Sequence, residues 1–143
     1  MTPDQIGLVE QSFQMVRPMK GQVGGFFFRR LFEIAPETAP LFETVNMTRQ
    51  SLQLMATLNL FVSLLRSPEN LRVAAGELAE RHKGYGVEDA YYAPFGEALI
   101  WTLGQCLGAA FDDETEAAWR AAYGLLAQAM IGAGGAPEYA AAG

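Results

Sequence analysis

The only histidine of the chain, His82, lies in the stretch Gly76-Glu-Leu-Ala-Glu-Arg-His-Lys-Gly-Tyr-Gly86. Stepping back from it by helical offsets reaches Ala79, Leu78, Ala75 and Leu71, all apolar. Those positions share one face of an α-helix, so His82 is expected on the buried stripe of an amphipathic helix. Gly84 and Gly86 end that helix within a turn, as glycines past a helix terminus do. Whatever fold forms must close an apolar interior around one imidazole.

The rest of the chain reads as helices of the same kind. Thr2-Pro3-Asp4-Gln5 carries an N-cap hydroxyl, a proline at the first helical position and a glutamine that completes a capping box. Ile6, Val9, Phe13 and Val16 form the stripe of a first helix, and Pro18 interrupts it. A second helix is expected from about Met19 to Ile34, with Gly24-Gly25-Phe26-Phe27-Phe28 at its centre. Two glycines inside a helix cost about 1 kcal/mol each relative to alanine. Such glycines are tolerable where another backbone crosses closely or a flat group needs room. Three successive phenylalanines point in three directions, so at least two must be buried against different neighbours.

Pro36 and Pro40 bracket a short helical turn ending in Leu41-Phe42, and residues 43–48 read as a loop. A helix is expected from Arg49 to Arg66, and Pro68 and Asn70 separate it from the helix of His82. Glu88-Asp89 open a long helix running to Phe111, with Pro94 in its early part. Asp112-Asp113-Glu114 begin the last helix, with acids at its positive end. The Gly- and Ala-rich residues 133–143 are expected to form a flexible tail, leaving residues 1–132 as one domain. No repeats, alternating strand patterns or heptads occur, so the fold class is all-α with six or seven helices.

Composition narrows the function. At 143 residues, half of them hydrophobic and 18% charged, the chain can bury roughly two-thirds of its unfolded surface. A net charge of -6 disfavours nucleic-acid backbones and anionic membranes. The most apolar window, Leu52 to Leu65, is too short and too polar to cross a bilayer. Cys106 has no disulfide partner and sits among Leu103, Leu107 and Ala110, as a small core residue does. Asp4 and Glu10 interrupt any leader-like start, so a cytoplasmic location is expected.

Most chemistries fail for lack of parts. Zinc sites need several His or Cys ligands, and this chain has one of each, far apart. Glu77, Glu80 and Glu97 do not repeat as a di-iron bundle requires. There is no nucleophile elbow, phosphate loop or dinucleotide fingerprint. Two readings of His82 remain: an axial ligand to a haem iron, or a core histidine with one hydrogen-bond partner.

Phe27-Phe28-Arg29-Arg30-Leu31-Phe32, Pro36, Leu41-Phe42, Leu78-Ala-Glu-Arg-His-Lys83, Tyr92-Ala-Pro-Phe-Gly96 and Ala118-Trp-Arg-Ala-Ala-Tyr-Gly124 follow in order along the chain. In these pieces, over about residues 3–132, the sequence resembles bacterial single-domain globins related to the globin part of flavohaemoglobins. The resemblance implies a helical sandwich around haem b. His82 would match the proximal iron ligand and Phe42 the phenylalanine packed on the porphyrin. Gln50 and Leu54, four apart on one helix face, would match the ligand-facing distal positions, with Phe28 beside them. Thr48 is a possible substitute for Gln50. Tyr92 would line the proximal side, and Leu78, Arg81, Tyr85 and Phe95 would border the haem.

Two departures from that family shape the expectation. The family generally has a tyrosine where this chain has Phe28, and a phenyl ring cannot donate a hydrogen bond to a bound gas carrying partial negative charge. Such a bond contributes roughly 1.5–3 kcal/mol, so oxygen retention weakens by about 10- to 150-fold. The family also has a proximal glutamate on the last helix; counting on from Tyr123, that position falls at Gly134 or in the tail, and no acid occurs between Glu116 and Glu138. His82 is therefore expected to donate to a backbone carbonyl near Leu78, as a more neutral ligand. Both departures argue against strong peroxidase-like or dioxygenase chemistry. The expected function is reversible binding of a diatomic gas (O2, NO or CO) at a five-coordinate haem, with fast oxygen release. Nothing in the spacing of Met47, Met55 or Tyr85 favours any of them as a sixth ligand. The flavin and nicotinamide domains would begin about where the chain ends, so any reductant is expected to be a separate protein. The alternatives are a nitric oxide dioxygenase or nitrite reductase served by such a partner, or a haem-free globin-like sensory or interaction module.

Overall fold

A computed structural model describes residues 1–134. Six α-helices follow one another: α1 (Pro3–Val16), α2 (Lys20–Ile34), α3 (Met47–Ser63), α4 (Pro68–Gly84), α5 (Tyr92–Leu107) and α6 (Asp113–Gly134). Short 3-10 turns join several of them, and no strand forms among the described residues. The all-α expectation holds.

Helix starts obey local chemistry. Thr2 accepts from the Gln5 backbone N–H at 3.1 Å while the Gln5 side chain accepts from the Thr2 N–H at 3.0 Å, the reciprocal pair of a capping box. Pro18 falls in a 3-10 turn, Arg17–Met19, so α2 begins at Lys20 and not at Met19. The loop expected over 43–48 is shorter than that. Asn46 caps α3 by accepting from the Arg49 N–H at 3.0 Å, which draws Met47 and Thr48 into the helix. The same helix ends at Ser63 and does not reach Arg66. The helix expected to run to Phe111 stops at Leu107, because Gly108 takes a positive φ of 56° and a 3-10 turn follows. Helix α6 continues through Gly134, beyond the expected end at 132, and the rest of the expected tail lies outside the described residues.

The pairing of the helices positions the site. Helix α2 packs on both α3 and α5, while α4 packs on α6, which also covers α1. Closest approach between α2 and α3 occurs at Gly24. A Cβ there would stand 2.2 Å from both Cβ and Oγ of Ser51 and 3.0 Å from its Cα. Gly24 is thus the glycine that close helix crossing requires. Gly25 has open space around it.

At the other end of the core, Phe13 leans on Trp119 with ring centroids 6.3 Å apart. The Trp119 indole N–H donates to Ser12 Oγ at 2.8 Å, and Ser12 in turn donates to the Leu8 carbonyl at 2.6 Å. This satisfies a buried polar atom that would otherwise destabilise the α1–α6 contact. A void of about 30 Å³ remains among Val9, Leu58, Phe61, Leu99, Trp119 and Tyr123. Its lining is almost wholly apolar, so it reads as a dry packing defect.

Candidate functional site

Helices α3 and α4 are consecutive, yet neither packs along the other. One lies against α2 and the other against α6. On α4, Leu71, Ala75, Leu78 and Ala79 are buried as the periodicity predicts. His82 follows them in the last turn, half-buried.

The imidazole is fixed by its own helix. His82 Nδ1 lies 2.9 Å from the Leu78 carbonyl oxygen. A carbonyl only accepts, so Nδ1 carries the proton and the lone pair resides on Nε2. The carbonyl near Leu78 expected from the sequence is the partner found. Burial pushes the imidazole below its usual pKa, the Leu78 bond opposes that shift, and the Arg81 charge adds to it. The side chain is therefore neutral at neutral pH, the form a metal requires. No group of three or more His, Cys, Asp or Glu side chains gathers among the described residues.

The chain also builds a row of aromatic rings. Phe42 meets Phe28 edge-on, centroids 5.2 Å apart, and Phe28 meets Phe27 at 5.0 Å. Phe27 approaches Phe95 at 6.5 Å, and Phe95 approaches Tyr92 at 6.3 Å. One row of rings thus runs from the Pro36–Phe42 turn, across α2, to the first turn of α5. The corner after His82 closes the circuit: a Cβ on Gly86, whose φ is +90°, would lie 3.5 Å from Leu41 Cδ2. That contact sets the His82 corner against the turn that carries Phe42.

Two site residues stand apart from the row. Gln50 and Leu54 flank Ser51 on α3 and are half-buried, so the Gly24–Ser51 crossing sets their height above α2. Thr48, the possible substitute for Gln50, is exposed. Among the residues of the last turn of α4, Arg81 is exposed, and beyond it Tyr85 stands 70% exposed.

Sequence reasoning overlooked the part of Tyr123. Its hydroxyl donates to the Tyr92 carbonyl at 2.5 Å, and its ring lies so close to α5 that a Cβ on Gly96 would stand 2.5 Å from it. Burial holds this phenol well above its ordinary pKa, the neighbouring Tyr92 adds to that, and the Gly96 N–H opposes it. Tyr123 thereby anchors the turn that presents Tyr92 and Phe95. Gly96, four residues after Tyr92, was the available signal for so close a neighbour.

The globin family model matches residues 25–130, most of the chain. The chain belongs to the globin family. As a globin it is 31% identical over 108 residues to a flavohemoprotein of Rhizobium meliloti, covering 74% of this chain and 27% of the relative. It is 28% identical over 134 residues to a flavohemoprotein of Deinococcus radiodurans, covering 92% of this chain and 33% of that protein. The chain therefore spans only about a third or less of these relatives.

Among solved structures, a bacterial globin from Campylobacter jejuni shares the fold, with TM-score 0.79 and 24% identity over 92% of this chain and 95% of that one. An engineered carbene transferase, built on a Rhodothermus marinus protein named for nitric oxide dioxygenation, aligns with TM-score 0.79 and 26% identity. That alignment covers 90% of this chain and 89% of the other. The names of both relatives mark them as haem proteins. His82 fits such a group: a neutral imidazole whose Nδ1 is held by the Leu78 carbonyl, leaving the Nε2 lone pair for a metal.

Proposed function

We propose that this globin holds haem b between α3 and α4 through His82 and reversibly binds O2, NO or CO. The observation that carries the reading is the His82–Leu78 bond, which presents Nε2 as a neutral donor on the half-buried face of α4. Haem supplies a reducible iron with a site for a small gas. The protein supplies everything that sets how long the gas stays.

On the proximal side, His82 gives its Nδ1 proton to a neutral carbonyl and to no carboxylate, so it remains a moderate electron donor. Tyr92, Phe95 and Phe42 would keep water from the haem and pack on it. Leu78, Arg81 and Tyr85 border it near His82. Across from His82, Gln50 is the one amide near the expected gas position, and Leu54 limits the room beside it. Phe28 offers no donor there. Fast release of a bound gas would follow from that shortage.

Phe28→Tyr tests the distal argument. Stopped-flow oxygen displacement should show release slowed by at least about tenfold, the lower bound for a hydrogen bond to a charged acceptor. An unchanged rate would mean that position 28 does not face the gas.

A second reading is suggested by the Rhodothermus neighbour: nitric oxide dioxygenation with electrons from a separate flavoprotein reductase. Multiple-turnover nitric oxide consumption with added reductase and pyridine nucleotide separates it from simple binding.

A further inference from the structure

His82 stands in the last turn of α4, which ends at Gly84. Carbonyls in a last turn have no partners within the helix, and helix ends fray. Here the partners come from the corner that follows. Gly86 takes a φ of +90°, which turns the chain back on itself. Its N–H donates to the Lys83 carbonyl at 3.1 Å, and the Val87 N–H donates to the His82 carbonyl at 3.0 Å. That nested pair is a Schellman closure, with Gly86 at the left-handed position. The Tyr85 N–H also reaches the His82 carbonyl at 3.0 Å, so both of its lone pairs are taken. Val87 then returns to the core, half-buried. Gly84, the other glycine of this stretch, stays within the helix.

We propose that this corner positions the iron ligand and that Gly86 is the residue on which its shape depends, a role that rests on the haem reading above. The imidazole is aimed by one bond, from Nδ1 to the Leu78 carbonyl at 2.9 Å. That bond spans one helical turn, so it forms only while residue 82 keeps helical backbone angles. The N–H groups of Tyr85 and Val87 hold the carbonyl of that same residue. Ring and backbone of His82 are thus fixed from opposite directions along the helix.

Space is not what Gly86 supplies. A Cβ there would lie 3.5 Å from Leu41 Cδ2, an ordinary contact. Backbone freedom is what it supplies, because an L side chain at positive φ brings Cβ against the backbone carbonyl, with asparagine the most tolerant of the alternatives. The aim of His82 therefore depends on a glycine that touches no ligand.

The test is made on the purified chain, first before any haemin is added. Amide exchange should find the Val87 N–H protected, and nitrogen-15 spectra should show His82 as one neutral tautomer with its proton on Nδ1. Gly86→Ala should speed Val87 exchange by about tenfold, the equivalent of the strain at one left-handed residue, and bring the second tautomer into view. Gly86→Asn should restore both readings. Gly108→Ala is the control: it strains the other positive φ among the described residues, 56°, just past the end of α5. It should lower Tm by a similar amount and leave the His82 spectrum unchanged. With haemin bound and reduced, the iron–histidine stretching band should shift or broaden in Gly86→Ala and in neither of the other two variants.

An unprotected Val87 amide in the unaltered chain would overturn the proposal. So would His82 signals that are unchanged in Gly86→Ala, or that are altered as much in Gly108→Ala. A chain that takes up no haemin would overturn the haem reading and the role with it, while the spectra before haemin still report the corner by themselves.

Discussion

His82→Ala abolishes stoichiometric haem retention while leaving the apoprotein folded. The imidazole makes one hydrogen bond, within its own helix, and no ion pair, so its removal costs little packing. For haem the loss is severe. Removing an outer-shell partner of a metal ligand alone costs about 10- to 100-fold in affinity, and removing the ligand itself costs more. Free imidazole in the buffer should restore part of the binding by occupying the vacated space. The check is the Soret absorbance of the variant after gel filtration with haemin, with and without imidazole. A variant that keeps full occupancy would make His82 a core histidine only.

Gly24→Ala should be strongly destabilising for a single added methyl group. Its Cβ would collide with Cα, Cβ and Oγ of Ser51, and backbone atoms cannot swing aside as a side-chain tip can. Overpacking of this kind costs about 1–3 kcal/mol, with the upper end expected against backbone. Alanine returns about 1 kcal/mol through helix propensity. A net loss of about 2 kcal/mol lowers Tm by roughly 4–8 °C for a chain of this size. Ser51→Gly removes the obstructing atoms, so Gly24→Ala with Ser51→Gly should recover most of that loss in a thermal melt. The single variant also pushes α3 off α2 and carries Gln50 and Leu54 with it, so its gas kinetics should change even where it remains folded. Recovery of stability without recovery of kinetics would separate packing from site geometry.

Much of this architecture was legible in the sequence because its causes are local. The Thr2 capping box, the Pro18 break and the buried stripe leading to His82 are each set by neighbours within a turn or two. The His82–Leu78 bond was legible for the same reason, since a histidine without a carboxylate partner turns to the carbonyl one turn back. Gly24 announced a close crossing, but its neighbour Gly25 carried the same signal and meets nothing. Only the phase of α2 against α3 tells the two apart. The early stop of α5 was missed because the apolar pattern continues through Ala109, Ala110 and Phe111. Gly108 ends the helix by its backbone conformation, which periodicity does not register.

Long-range geometry was the least legible. Tyr123 reaches Tyr92 from 31 residues away, and no local pattern links them. The separation of α3 from α4 depends on which other helices they pack against. That separation is what the proposed haem site requires.

The most direct measurement is a titration of the purified chain with haemin, followed by absorption in the ferric, dithionite-reduced and CO-bound forms. A saturable one-to-one Soret band that shifts on reduction and again with CO, and that is lost in His82→Ala, is the predicted result. A spectrum no different from haemin free in buffer, at any ratio, would contradict it and return His82 to the role of a hydrogen-bonded core residue.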